Sequence, residues 1–284
     1  MSRASAYRLA LAAVAFAPCA WAAAPDAIPD LASPEFGWQS NLEDWQDPPG
    51  GSGHGPMRED PAYPFNSNAQ AARTGTQPNN RITNSKDPIL KPWVAQSIQA
   101  TNDEVLQGKV QVPFTAQSRC WPGGVPGQLL YPFEPFYAVQ TPAEVWLIWQ
   151  RDHMVRRIFL TDKHSENLKP SWFGESIGHY ENGDTLVVDT IGLASLPKSY
   201  IDNFRTPHSD KLHVVERFTL GPDGNSLSAI ATAEDPDAYN APLTMTQHWF
   251  KFKGPMLETV CSENNEDHFH QGLVDIPQAD KPDF

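Results

Sequence analysis

Between Cys120 and Cys261 the chain runs through a succession of short strand-like segments, each closed by turn-forming residues. Few architectures accommodate that pattern. The segments Tyr137–Gln140, Val145–Gln150, Met154–Leu160, Glu175–Glu181, Thr185–Thr190, Leu212–Leu220, Ser226–Glu234, Leu243–Phe252 and Met256–Cys261 are alternating or rich in β-branched residues. Asn182-Gly183, a strong hairpin signal, joins Glu175–Glu181 to Thr185–Thr190. GlyProAspGly at 221–224 and LysGlyPro at 253–255 join later neighbours. Connections this tight imply antiparallel pairing, because parallel strands need long crossovers. The chain is therefore expected to be mainly β. The favoured architecture is a single antiparallel, lipocalin-like barrel of about eight strands. A β-sandwich is the competing form.

Two regions precede this block. Residues 91–107 predict one helix: Pro92 suits a first turn, and Trp93/Val94, Ile98 and Val105/Leu106 share a face. Residues 23–86 are rich in Pro, Gly, Asn and Asp and show no sustained period. Their Phe36, Trp38, Trp45, Tyr63 and Phe65 predict an irregular arm packed on the 87–284 domain.

Residues 1–22 have the grammar of a cleavable signal peptide. Arg3 and Arg8 precede an apolar run, Leu9–Ala17, and Ala20-Trp21-Ala22 offers a cleavage site. The run is too short to span a bilayer, so no membrane span is expected. A periplasmic or secreted protein follows. Cleavage would leave Cys120 and Cys261, which in an oxidising compartment predict one disulfide, with two buried thiols as the alternative. Neither has a second cysteine at metal-ligand spacing, and no metal or cofactor is expected. The formal net charge of -13 argues against nucleic acid and anionic membrane as partners.

Candidate functional residues are those that break the strand pattern. Glu216 falls in an apolar row with Leu212, Val214, Phe218 and Leu220, so it needs a buried partner or a ligand. Either Arg156 or Arg157 should face inward to meet it, and Arg157 is carried forward as the ligand-binding candidate. The 199–210 connection holds Asp202, Asn203, Arg205, His208, Ser209 and Asp210. There Asp202 could orient His208 for proton transfer, with Glu216 as electrostatic partner. His248 shares a face with Thr244, Thr246 and Phe250, which makes it a lumen candidate. Trp146, Trp172, Tyr180, Asn203 and Ser176 complete the expected ligand-binding set, with aromatic rings lining a cavity. His268 and His270 are a weaker metal possibility.

The motifs SerTrpPheGlyGluSerIleGlyHisTyrGluAsnGlyAspThrLeuValValAspThrIleGly (171–192), ProHisSerAspLysLeuHisValValGluArgPhe (207–218) and ValCysSerGluAsnAsn (260–265) resemble those of a group of uncharacterised exported bacterial β-rich proteins. CysTrpProGlyGlyValPro (120–126) and ValGlnThrPro (139–142) fit the same pattern, so the resemblance covers about residues 89–265. It departs at His179 and Tyr180, where another basic residue and a tryptophan are expected, which makes His179 a poor choice for an essential role. The resemblance implies export, a shared β domain and cysteines within recurrent motifs. Three functions remain open. The first is binding of a small apolar or aromatic molecule in a barrel cavity. The second is a lyase, isomerase or hydrolase acting on such a compound through His208, Asp202, Glu216 and Arg157. The third is a structural envelope protein.

Overall fold

The structure, a computed structural model, describes residues 28–261 except positions 52, 67, 76–80, 110–114, 132–133 and 197–198. The expected signal peptide at residues 1–22, His268 and His270 lie outside the described residues.

Strands β1 (Phe36–Gln39), β2 (Phe136–Gln140), β3 (Glu144–Trp149), β4 (Val155–Phe159), β5 (Glu175–Glu181), β6 (Thr185–Ile191), β7 (His213–Leu220), β8 (Ser226–Glu234) and β9 (Leu243–Lys253) form one closed barrel in sequence order. The expected strands from Tyr137 to Phe252 all form. Met256–Cys261 does not: it carries only an isolated bridge between Thr259 and Arg151. The remaining strand, β1, comes from the arm and pairs with both β2 and β9. The arm is thus not wholly irregular.

The strand count has a topological consequence. Around a closed ring the number of direction reversals must be even. A ring of nine strands therefore cannot be antiparallel throughout, and the odd junction is β4 with β5, which pair in parallel through Ile158↔Ser176 and Phe159↔Ile177. Parallel neighbours need a crossover, which explains the long connection between Phe159 and Glu175. Its return into β5 uses Gly174 at φ +59, where a Cβ would lie 2.3 Å from the Ile191 carbonyl oxygen.

The lumen is filled by alternate residues of each strand. β3 contributes Val145, Leu147 and Trp149, β7 contributes Val214 and Phe218, and β9 contributes Leu243, Met245 and Trp249. β8 presents Ala229, Ala231 and Ala233, and these small residues leave room for the large ones. Phe136 packs on Trp149 and Trp249 at 5.6 and 5.7 Å between centroids, and Phe218 meets Trp249 at 6.2 Å. Trp38 from β1 is fully buried.

Helix α1 (Asn68–Thr74) lies in the arm; α2 (Pro92–Leu106) is the predicted helix. α2 buries Val94, Ile98, Asn102 and Val105, and Asn102 receives the Thr83 N–H at 3.0 Å while donating to the Thr83 carbonyl at 2.8 Å. Trp93 stays partly exposed, its indole N–H donating to the Asp237 carbonyl at 2.7 Å. Cys120 and Cys261 form the expected disulfide across 141 residues. It does not join the two strands at the seam, because β1 stands between β2 and β9. It ties the segment before β2 to the segment after β9, and for a loop of that length chain entropy gives about 5 kcal/mol.

Candidate functional site

Three of the polar clusters among the described residues involve the barrel strands or the 199–210 connection, and they differ in access to solvent. The first is inside the lumen. Arg156, not Arg157, points inward. Its guanidinium meets both carboxylate oxygens of Glu216: Nη1 donates to Oε1 at 2.9 Å and Nη2 to Oε2. Arg156 Nε donates to Ser176 Oγ at 3.1 Å, Nη2 donates to Thr190 Oγ1 at 2.8 Å, and the two hydroxyls lie 2.9 Å apart. Exposure is 1% for Arg156 and 0% for Glu216. Glu216 and Ser176 therefore sit together, but as members of a buried network with Arg156 and Thr190.

Arg157 lies on the outer face, half exposed, and binds Glu144 through Nε at 3.0 Å and Nη2 at 2.7 Å. It lies over the ring of Trp146, which is also outward. His248 is exposed as well. The inner row of β9 is Leu243, Met245, Gln247 and Trp249, so the predicted face was the opposite one. Trp172 lies beside Trp121 with centroids 5.7 Å apart. Tyr180 accepts from Gln140 Nε2 at 3.0 Å, and Asn203 donates to the Glu43 carbonyl at 2.6 Å. These six residues, and Ser176 in the lumen, do not converge on one cavity.

The second place is the 199–210 connection. It folds back on itself through the Tyr200↔Pro207 bridge. Asp202 accepts from the Thr206 N–H at 3.0 Å and from Thr206 Oγ1 at 2.7 Å, and does not bond to His208. Burial raises the Asp202 carboxyl to about 6, against the opposing pull of those hydrogen bonds. His208 has other partners. Its Nδ1 is 2.8 Å from the Ser209 carbonyl oxygen, and its Nε2 is 2.8 Å from Ser199 Oγ. Burial holds the imidazole below its ordinary pKa. Asp235 in turn accepts from the Ser209 N–H at 2.6 Å and from Ser209 Oγ at 2.7 Å. Arg205, nearly fully buried, donates from Nη2 to the Arg81 carbonyl at 2.8 Å, while its Nε and Nη1 have no acceptor. Burial lowers its pKa to about 10.

The third place is the outer wall where the crossover lies on β5 and β6. His164 reaches Glu175 Oε1 from Nδ1 at 3.1 Å and Asp189 Oδ1 from Nε2 at 2.8 Å. His213 Nε2 meets Asp189 Oδ2 at 2.9 Å. Glu175 also accepts from the N–H and hydroxyl of Ser165, the hydroxyl bond being the largest cause of its lowered carboxyl pKa. Hydrogen bonds from the two imidazoles outweigh the larger desolvation of Asp189, whose pKa is also lowered. An imidazole donates at both nitrogens only as the cation, so His164 satisfies both carboxylates only when protonated. Among the described residues, no group of three or more His, Cys, Asp or Glu is placed to hold a metal ion. No helix there is long and apolar enough to cross a membrane.

Sequence reasoning missed Ser199, Asp235 and the His164–Asp189–His213 ladder. Asp189 and His213 alternate outward in ordinary strands, and Ser199 meets His208 only through the fold of its loop. A fourth feature is apolar. A groove of about 500 Å³ runs between the arm and the outer faces of β2 and β3, lined by Ala32, Pro34, Tyr137, Val139, Ile148 and Met256 among others. No family model, curated protein or solved structure matches this chain.

Proposed function

We propose that this protein binds a small apolar or aromatic organic molecule, and that it does so in the groove outside β2 and β3, not within the lumen. The lumen holds the Arg156–Glu216 network and the packed rings of Trp38, Phe136, Trp149, Phe218 and Trp249. An occupant there would have to displace core side chains.

The observation that carries the reading is the groove. Its volume of about 500 Å³ lies in the range of small-molecule sites, and its walls are mainly apolar. It continues onto exposed apolar surface. Val139 is paired with Trp146 across β2 and β3, Ile148 with Val155 across β3 and β4, and Val139, Trp146 and Val155 are all exposed. Such grouping on an outer face marks interaction sites more than solvent-facing sheet. The Gln140 amide holds the arm over one end, accepting from the Leu31 N–H at 2.9 Å and the Ala32 N–H at 3.1 Å. The groove wall is thereby fixed in place before a ligand arrives.

Titration with N-phenyl-1-naphthylamine, an uncharged aromatic fluorophore, tests this. Saturable binding at one site is expected, weakened about tenfold by Val139→Glu with the melting temperature unchanged. Binding that ignores Val139→Glu, or does not saturate, would refute the assignment.

A further inference from the structure

We propose that the Cys120–Cys261 disulfide is a thiol-exchange site of fixed polarity, in which a small-molecule thiol adds to Cys120 and Cys261 leaves as a thiolate held by Arg151. This site is separate from the groove and does not depend on it.

The two sulfurs differ in their surroundings. Cys261 is buried, 8% exposed, and its Sγ accepts from Arg151 Nη2 at 2.8 Å. Cys120 is half-buried and follows the short turn Gln117–Arg119, beside the exposed Trp121. A disulfide sulfur is neutral and accepts only weakly. A thiolate carries a full charge, so the same guanidinium contact strengthens as the S–S bond breaks. A cation beside a cysteine favours its thiolate, and the better-stabilised thiolate leaves faster.

The positive charge of Arg151 is available for this. Its carboxylate neighbours stand off, Glu134 Oε2 at 3.5 Å from Nη1 and Asp152 Oδ2 at 3.9 Å from Nε, and Nε has no hydrogen-bond partner. The guanidinium is also held in position. Nη2 donates to the Gln117 carbonyl at 3.1 Å, and the group lies over the Tyr131 ring at 5.7 Å.

Cys261 is fastened beside Arg151 by contacts other than the disulfide. Its N–H donates to Asp152 Oδ1 at 2.8 Å, and the Asp152 N–H donates to the Thr259 carbonyl at 2.8 Å. Gln150 Nε2 donates to Thr259 Oγ1 at 3.3 Å, and the Leu257 N–H donates to Gln150 Oε1 at 3.2 Å. The leaving sulfur is thus kept next to its cation when the bond opens.

In the first step the incoming thiol gives its proton to water, and its sulfur bonds to Cys120 Sγ. The Cys120–Cys261 bond breaks and its electron pair goes to Cys261 Sγ. The products are a mixed disulfide on Cys120 and a thiolate on Cys261. Attack by that thiolate on Cys120 Sγ restores the bond and expels the thiol. Attack by a second thiol molecule on the mixed disulfide instead removes the first as a small-molecule disulfide and leaves both cysteines reduced. The tie between the segment before β2 and the segment after β9 therefore follows the thiol content of its surroundings.

The test exposes the oxidised full chain to excess reduced glutathione, quenches with acid and maps the cysteines by peptide mass spectrometry. The expected result is glutathione on Cys120 with Cys261 free. Exchange should be at least about threefold slower in folded Arg151→Met. Should Arg151→Met fail to fold, Cys120→Ser serves, because it leaves Cys261 as a free thiol beside Arg151. Its alkylation by iodoacetamide should then be half-maximal well below about pH 8.5, where an ordinary cysteine ionises. Glutathione on Cys261 instead of Cys120, no exchange in the folded chain, an unchanged or faster rate in folded Arg151→Met, or half-maximal alkylation of Cys120→Ser at about pH 8.5 or above overturns the proposal.

Discussion

Glu216→Gln isolates the charge of the lumen pair without changing its shape. In the native barrel the Arg156 guanidinium faces one carboxylate and two hydroxyls, at 1% exposure. Glutamine keeps one oxygen acceptor but removes the counter-charge, leaving a buried cation with only the hydroxyls of Ser176 and Thr190 and a neutral amide for partners. Breaking one side of such a pair costs about 3–5 kcal/mol, because the remaining ion is buried and uncompensated. For a chain of this size each kcal/mol lowers the melting temperature by roughly 2–4 °C, so a fall on the order of 10 °C is expected. Urea unfolding followed by tryptophan fluorescence reads this directly. The double variant Arg156→Met, Glu216→Leu removes both charges at similar volume and should recover most of the loss. A single variant within about 1 kcal/mol of wild type would refute the uncompensated-charge argument. So would a double variant no better than the single one.

Two further outcomes concern polar groups outside the lumen. Burial raises Asp202 from 3.8 to about 6, so the folded protein keeps a proton that the unfolded chain releases. Its contribution is complete below pH 3.8 and is lost as pH rises to about 6, on the order of 3 kcal/mol in all. Asp202→Asn, neutral throughout, should remove this fall in urea midpoints measured from pH 4 to 7, and parallel curves would contradict it. His164→Ala removes the imidazole contacts that tie the crossover to Glu175 and Asp189 on the β5–β6 wall. Native-state proteolysis between Phe159 and Glu175 should accelerate several-fold, with a stability loss of about 1 kcal/mol because the groups are partly solvated. Unchanged cleavage would show that the crossover is held by other contacts.

Much of the barrel was legible because local chemistry and global fold agree. Asn182 and Gly183 take positive φ at the turn between β5 and β6, as an Asn-Gly hairpin requires. Glu216 broke an apolar row and proved to be the buried carboxylate, with an arginine from the doublet beside it. The choice within that doublet was not legible, since Arg156 and Arg157 occupy opposite faces of a strand only five residues long. β1 was hidden for another reason. Four residues, one of them glycine, show no period, and their strand character comes from pairing with Lys251 and Phe136 far along the chain. His248 reads as a lumen residue from the company of Thr244, Thr246 and Phe250, yet the alternate row of β9 carries the larger apolar set ending in Trp249. Ser199 and His208 sit nine residues apart in a connection without periodicity, and only the back-folding at Tyr200 and Pro207 joins them.

The place of β1 governs the order in which this molecule can be completed. It is among the earliest strands off the ribosome, yet its partners are Phe136 on one side and the β9 stretch Phe250–Lys253 on the other. Until β9 exists, β1 has one edge unsatisfied and the ring stays open. A chain stopped before Leu243 would retain seven of the inner neighbour pairings from β1 to β8 but leave two bare edges, on β1 and β8, each a template for another chain. Truncation from the C-terminal side should therefore produce self-associating material, whereas in the closed ring of described strands each one has a neighbour on both sides.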